Sequence, residues 1–451
     1  MAKEKQKSFN RNHLVIMALG NLIGSGIFLG SGNVIALAGP AAVLAYVIGG
    51  LIMMYEVMCI TEMSIVNPAP GAFRVHSSEI FGPWIGFVNG WMFWCSGVLG
   101  MASEVVAAAI FTSLWFPRVP LWVFCIIYAA VMTAINLNDV RGLSRIESFL
   151  ASIKVIALLL FIILGILILA GVIMPESFKI MPVFSSMANF MPKGVHGILA
   201  SMIMVMFSYV GTGIIGLAIA DTHNPGKNAP PAIKIITITV LVLYSVSILF
   251  IVLLTPWNTI STSASPFVSI IERVGIPFGA AILNFIVLTA ALSGLNSSMY
   301  SASRMLGSLS SDRQAPKMFL KKNKNDVPVY ALGFCSIVLA AAAILSYLLP
   351  QKIFIVLSCA SGFTAMINWL TISVTHLFYR RKTLRERPEK LQYKAPGYPA
   401  STIAFILAIL GLFLTSYLYP GQISGLIGSV VLFVVLVLIY YSLINKRVAL
   451  K

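Results

Sequence analysis

The chemistry of this chain concentrates in Gly20-Asn21-Leu22-Ile23-Gly24-Ser25-Gly26-Ile27-Phe28. These residues sit in the middle of an apolar run of membrane length. Glycines and a hydroxyl there interrupt a helix at a depth where hydrocarbon offers the backbone no hydrogen-bond partner. Such a break is tolerated only inside protein or along a cavity. The freed amides at the start of the outer half-helix suit an anion, and the freed carbonyls suit a cation. A zwitterionic amino acid carries both groups on one carbon, which makes the break a candidate amino-acid site. The amides of Ser25, Gly26 and Ile27, with the Ser25 hydroxyl, are placed to receive the carboxylate. The sixth apolar run has a matching interruption, Phe207-Ser208-Tyr209-Val210-Gly211-Thr212-Gly213. Carbonyls near Ile23, Phe207, Ser208 and Val210, beside the break at Gly211, are the acceptors for the ammonium. Phe207 or Tyr209 is a candidate aromatic lid, with simple packing as the alternative for Tyr209.

Ionisable residues inside apolar runs are costly and by default functional. Lys154 lies in the fifth run, in Ser152-Ile153-Lys154-Val155-Ile156. Withdrawal from water disfavours its charged form, so it is suited to gaining and losing a proton. A fixed charge bracing helices and a side chain snorkelling to the interface are the alternatives. Glu104 follows Met101-Ala102-Ser103 in the third run. It is a candidate proton carrier or lining residue of the substrate path, against a buried structural carboxylate. Glu56 also lies within a run, with no role assigned to it. Glu62 and Asp221, near run ends, are expected to order the inner loops with Arg74, Arg141 or Arg145.

The elements that position these residues follow from composition. The 451 residues are 59% hydrophobic and 10% charged, with a mean hydropathy of +0.93, which excludes an ordinary soluble domain. Twelve apolar stretches approach or exceed bilayer length: 13–38, 40–65, 84–115, 120–138, 146–173, 195–220, 232–255, 276–303, 329–349, 352–378, 400–419 and 422–444. The net charge of +17 does not point to nucleic acid, because it is distributed by topology. With the N-terminus inside, 25 of the 31 Lys and Arg residues fall on the inner side. This positive-inside bias places both termini in the cytoplasm of a multi-pass cell-membrane protein, its basic loops facing lipid headgroups. The first run is too long for a cleavable signal, and no small-residue cleavage site follows it.

The two glycine-hydroxyl-glycine interruptions are five helices apart, so they run in opposite directions. That is the pattern of an inverted five-plus-five repeat with its site where the breaks meet. The first repeat is expected over 13–173 and the second over 195–378. Helices 11 and 12 span 400–444, flanked by short cytoplasmic ends at 1–12 and 445–451. The five cysteines lack paired spacing, and the five histidines are scattered, so neither disulfides nor a metal site is expected. No nucleophile elbow or Walker loop points to an enzyme. A channel would call for a ring of pore residues rather than broken helices in a repeat.

Several ordered motifs carry a family resemblance. They include Met17-Ala18-Leu19-Gly20 through Gly30-Ser31-Gly32, Thr61-Glu62-Met63, Pro70-Gly71-Ala72-Phe73 and Gly86-Phe87-Val88-Asn89-Gly90-Trp91. Ile135-Asn136-Leu137, Asn224-Pro225 and Asn296-Ser297-Ser298-Met299-Tyr300 continue the series. The chain resembles amino-acid permeases of the amino acid–polyamine–organocation superfamily, in the bacterial amino-acid transporter branch. The resemblance implies an all-α, twelve-helix leucine-transporter-like fold with broken helices one and six and alternating access. It also implies that Lys154 couples transport to protons, in the place a sodium ion takes in sodium-coupled relatives. Protons would be the coupling ion, with no bound cofactor. One departure stands out: many members of the branch have a glutamate just after the sixth-helix break, where this chain has Gly213. The expected activity is proton-coupled import of a neutral L-amino acid, with amino acid/amine exchange or sodium symport as alternatives. The expected partners are the substrate and the bilayer, and no oligomeric state is read from the sequence.

Overall fold

The computed structural model describes residues 10–445, apart from 70, 139, 174–179, 326, 350–351 and 418. The described residues form helices and turns without a strand. The first helix, α1 (Arg11–Leu22), starts where the Asn10 side chain accepts a hydrogen bond from the His13 amide at 3.0 Å. This satisfies one of the orphan donors of a helix start. The helix stops at Ile23, whose backbone turns to an extended conformation. It resumes as a π-turn over Gly26–Gly30 and then as α2 (Ser31–Ala38). Gly39, at φ +64°, and Pro40 end α2 and turn the chain into α3 (Ala42–Val66).

A short amphipathic helix, α4 (Phe73–Phe81), precedes α5 (Pro83–Ser113), α6 (Leu121–Asn138) and α7 (Val140–Leu169). The next elements are α8 (Met187–Phe190), α9 (Gly194–Ser208) and α10 (Gly213–Ala220). Between α9 and α10 the helix is broken, and Gly211 takes φ +115°, a conformation glycine adopts without strain. The remainder comprises α11 (Pro225–Leu254), α12 (Pro266–Val274), α13 (Gly279–Ser311), α14 (Val329–Leu348), α15 (Ile353–Glu386), α16 (Ala400–Ser416) and α17 (Pro420–Ile439).

Among the described residues, nine helical segments are long and apolar enough to cross a membrane. The segment Arg11–Val66 includes both the first break and the Gly39-Pro40 turn, and two shorter apolar helices lie at Leu121–Leu137 and Ala400–Ser416. Large apolar side chains such as Leu160, Leu407, Leu414 and Leu438 point outward and are exposed. In water such a belt would be an aggregation surface, whereas lipid solvates it. The chain is a multi-pass membrane protein.

Packing brings the two breaks together. The N-terminal half-helix α1 lies against α7, α10, α11 and α13, and α2 lies against α9. The long α5 packs along both α13 and α15, and α10 packs on α3. At the periphery, Arg74 on α4 is buried and bonds Asp312 at 2.7 Å, Gln314 at 2.9 Å and the Ser308 hydroxyl at 2.9 Å. Of the partners expected for Glu62 and Asp221, Arg74 is thus engaged elsewhere. Glu62 faces His376 at 3.2 Å and Arg380 at 3.3 Å and accepts from the Ala395 amide at 2.6 Å. Asp221 pairs with Arg304 at 2.9 Å. Arg74 reaches the end of α13 instead, from a helix packed on α5. The side chains of Arg141 and Arg145 lie outside the described residues.

Candidate functional site

The break in the first helix frees backbone groups, and three side chains from three other helices take them. Lys154 on α7, fully buried, donates to the Gly20 carbonyl at 2.6 Å. Tyr244 on α11 donates to the Leu22 carbonyl at 2.7 Å. The Ser25 amide donates to both carboxylate oxygens of Glu104 on α5, at 3.2 and 3.1 Å. Gly24 and Gly294 make the slot for this carboxylate: a Cβ at Gly24 would lie 2.5 Å from Glu104 Oε1, and one at Gly294 would lie 3.2 Å away. The ammonium of Lys154 is close enough for its charge to act on Glu104.

This arrangement bears directly on the carboxylate cradle expected from the sequence. Of its three amides, that of Ser25 is taken by the protein's own carboxylate. Sequence spacing could not reveal this, since Glu104 is 79 residues away. The Ser25 hydroxyl is buried beside the same carboxylate and does not line the cavity described below. Gly26 meets the second break: a Cβ there would lie 2.6 Å from the Ser208 Cα. Ile23, Ile27, Phe207 and Ser208 are all buried around this contact. Further along, a Cβ at Gly32 would lie 2.5 Å from the carbonyl oxygen of Ser261, which precedes α12. With Gly26 on Ser208, the half-helices α2 and α9 are in close contact.

The two breaks are also joined where the Asn21 side-chain amide donates to the Gly211 carbonyl at 2.8 Å. Here a cavity opens between α1, α10 and α3, α5, α13 and α15. Asn21, Val210, Gly211, Thr212, Phe93, Asn368 and Trp369 are among its lining residues. Of the acceptors expected in the sixth helix, Val210 and Gly211 line this cavity, whereas Phe207 and Ser208 do not. Phe207 instead meets Phe354 edge-on, with ring centroids 6.2 Å apart.

Tyr209 is not a lid. Its ring is fully buried against Tyr46 and Tyr244, with centroids 6.2 and 5.2 Å away, and its hydroxyl donates to the Tyr46 carbonyl at 2.8 Å. Gly49 and Gly50 on α3 leave the space it fills. The chain turns so sharply after Ser208 that Tyr209 faces α3 and α11 rather than the cavity.

Sequence reasoning gave Glu56 no role, yet the structure brings it to the second break. Its carboxylate, 1% exposed, lines the cavity. The Thr212 hydroxyl is its polar neighbour. The signal available in sequence was the position of an acid midway along an apolar run, as for Glu104.

The profile described as Amino acid permease matches residues 13–450. This chain belongs to the amino acid permease family. A Gamma-aminobutyric acid permease of Bacillus subtilis (strain 168) is 35% identical over 98% of this chain and 94% of its own length. The Amino-acid permease RocC of the same organism is 33% identical over 99% of the chain and 96% of its own length. A Probable threonine/serine transporter, YbxG, also from B. subtilis, is 33% identical over the same shares. The permease is thus a transporter by family, not an enzyme, and its substrate is an amino acid.

Proposed function

We propose that this permease imports a neutral L-amino acid together with a proton, by alternating access across the cell membrane, with both termini cytoplasmic. The observation that supports this best is the pair of ionisable side chains on the first break, Lys154 on Gly20 and Glu104 on Ser25. A proton gained or lost at either group changes which backbone groups of the hinge are free. Protonation of Glu104 weakens its hold on the Ser25 amide and opens that donor to a substrate carboxylate. Loss of the Lys154 proton turns its charge-assisted bond to the Gly20 carbonyl into a weaker neutral one and loosens the inner half-helix. An ammonium at this position also opposes a bound sodium ion by like-charge repulsion.

The closed contact of Gly26 on Ser208, with a cavity on the inner side, fits an inward-facing conformation of the cycle. Dividing Arg11–Val66 at Gly39-Pro40 and adding the two shorter apolar helices gives the twelve spans of a five-plus-five repeat followed by two helices. Two relatives are named for γ-aminobutyric acid and, as a probable assignment, for threonine and serine. All three compounds are zwitterions without net charge, in line with a neutral substrate.

The test is uptake of labelled amino acids into sodium-free proteoliposomes under an acid-outside gradient. Accumulation that a protonophore abolishes is expected. Counterflow without gradient-driven accumulation would replace symport with exchange.

A further inference from the structure

The cavity below the second break has an unbalanced wall. Glu56 contributes a carboxylate beside the neutral hydroxyl of Thr212, with 1% of the residue exposed. Among the described lining residues there is no Lys, Arg or His to balance it. A buried carboxylate without a charge partner is costly, so the site gains from any cation that enters. The rest of the wall suits one kind of cation. Phe73, Phe93 and Trp369 line the same cavity, with the Phe73 and Phe93 ring centroids 5.2 Å apart. Aromatic faces attract organic ammonium groups through their quadrupole.

The local backbone explains why the acid comes from α3. The Phe93 ring lies over Gly213, where a Cβ would collide with it and would also lie 3.2 Å from Phe73 Cε1. A side chain at 213 is therefore excluded by aromatic packing. Gly216 lets α10 approach α3, since a Cβ there would lie 2.5 Å from Ile60 Cγ2. That approach places Glu56 beside Thr212, one residue from the covered glycine.

We propose that Glu56 is the binding group for the substrate's ammonium nitrogen in the inner cavity, with Phe73, Phe93 and Trp369 as its aromatic surround. The proposal rests on the transport reading above and adds a second station to it. The substrate's ammonium leaves the carbonyls of the breaks and passes to Glu56 as the inner cavity opens.

Two fragments separate this role from others: n-propylammonium, which carries only the amine, and propionate, which carries only the acid. Amino-acid counterflow is measured at equal pH on both sides in wild type, Glu56→Gln and Glu56→Asp. In wild type, n-propylammonium is expected to inhibit. In Glu56→Gln its half-inhibitory concentration rises about tenfold or more, as loss of a charge partner implies. Glu56→Asp, which keeps the charge, falls between the two. Propionate inhibition is the same in all three.

Equal inhibition of wild type and Glu56→Gln by n-propylammonium overturns the proposal. So does a Glu56→Gln protein that loses proton-driven accumulation with unchanged amine inhibition, because Glu56 is then a proton site. If Glu56→Gln does not fold, thermal stabilisation of purified wild type and Glu56→Asp by n-propylammonium decides: weaker stabilisation of Glu56→Asp supports the site, and equal stabilisation of the two, or none in wild type, overturns it. That binding measurement also stands apart from transport, so absence of counterflow in wild type removes the transport reading without deciding the ammonium site.

Discussion

Replacing Lys154 with methionine keeps an unbranched apolar side chain and removes the ammonium. The Gly20 carbonyl then loses a 2.6 Å charge-assisted bond, an interaction worth about 1.5–3 kcal/mol. Glu104 loses the ammonium whose field acts on it while staying buried against the Ser25 amide. Removing one member of a buried charged pair costs about 3–5 kcal/mol, because the other is left uncompensated. Glu104→Gln alone leaves Lys154 in the same position. The double variant Lys154→Met/Glu104→Gln has no stranded charge, and the glutamine carbonyl still accepts from Ser25. Its stability loss is therefore expected to fall short of the sum of the single losses by about 2–3 kcal/mol. The assay is a double-mutant cycle on the purified protein, paired with transport. One proton per substrate under a gradient of about one pH unit supplies roughly 1.4 kcal/mol, or tenfold accumulation. Variants lacking Lys154 are expected to reach a ratio of about one while still performing counterflow. Additive stability losses would refute the argument that the two charges meet at the hinge. Wild-type accumulation in Lys154→Met would refute its coupling role.

Gly26→Leu is expected to abolish substrate binding, since even a Cβ there comes within 2.6 Å of the Ser208 Cα; normal affinity in a binding titration would contradict the placement of the site. His76, on the short helix α4, is buried, and its Nε2–H donates to the Asn67 carbonyl at 2.9 Å. Desolvation lowers its pKa from the ordinary 6.5 to about 4, so the folded protein holds it neutral where the unfolded chain would protonate it. Its contribution is complete above the unfolded value and is lost as pH falls from about 6.5 to about 4, a total of about 3 kcal/mol. The thermal midpoint should fall across that window, and His76→Gln should flatten the fall; parallel curves for the two proteins would show that another group is responsible.

The positions of both helix breaks were legible in the sequence, because glycine and hydroxyl residues inside an apolar run have few other reasons to be there. Lys154 was legible for the same reason: an ammonium among isoleucines and leucines must find a partner. Its partner was not legible, since the Gly20 carbonyl is 134 residues away and any freed carbonyl would serve. The occupation of the Ser25 amide by Glu104 was hidden in the same way, and it means that one of the cradle's three amides is engaged by the protein itself. Tyr209 misled because residues within a break no longer follow helical spacing, so adjacency to Ser208 says nothing about the direction of its ring. Glu56 was passed over because its setting depends on α10 lying close to α3, which rests on Gly216 and Ile60, two residues without polar chemistry. Loop pairings such as Asp221 with Arg304 were beyond the sequence, where many basic residues compete for few acids.

The first break is held from three directions, by residues of α5, α7 and α11 that lie 79 to 222 residues from it along the chain. This has an evolutionary consequence. Glu104, Lys154 and Tyr244 do not touch the hinge as three separate accessories; each fills a vacancy the same kink creates. A lineage that drifts at one of the three inherits an unfilled backbone group at the hinge, and the remaining two then sit in an altered field. Replacements at these positions should therefore arrive together, and together with changes in Gly20–Gly26, in descendants that adopt a different coupling ion. A family tree of such permeases would record a switch in energy source as a joint substitution at distant sites, while the apolar belt around them varies freely.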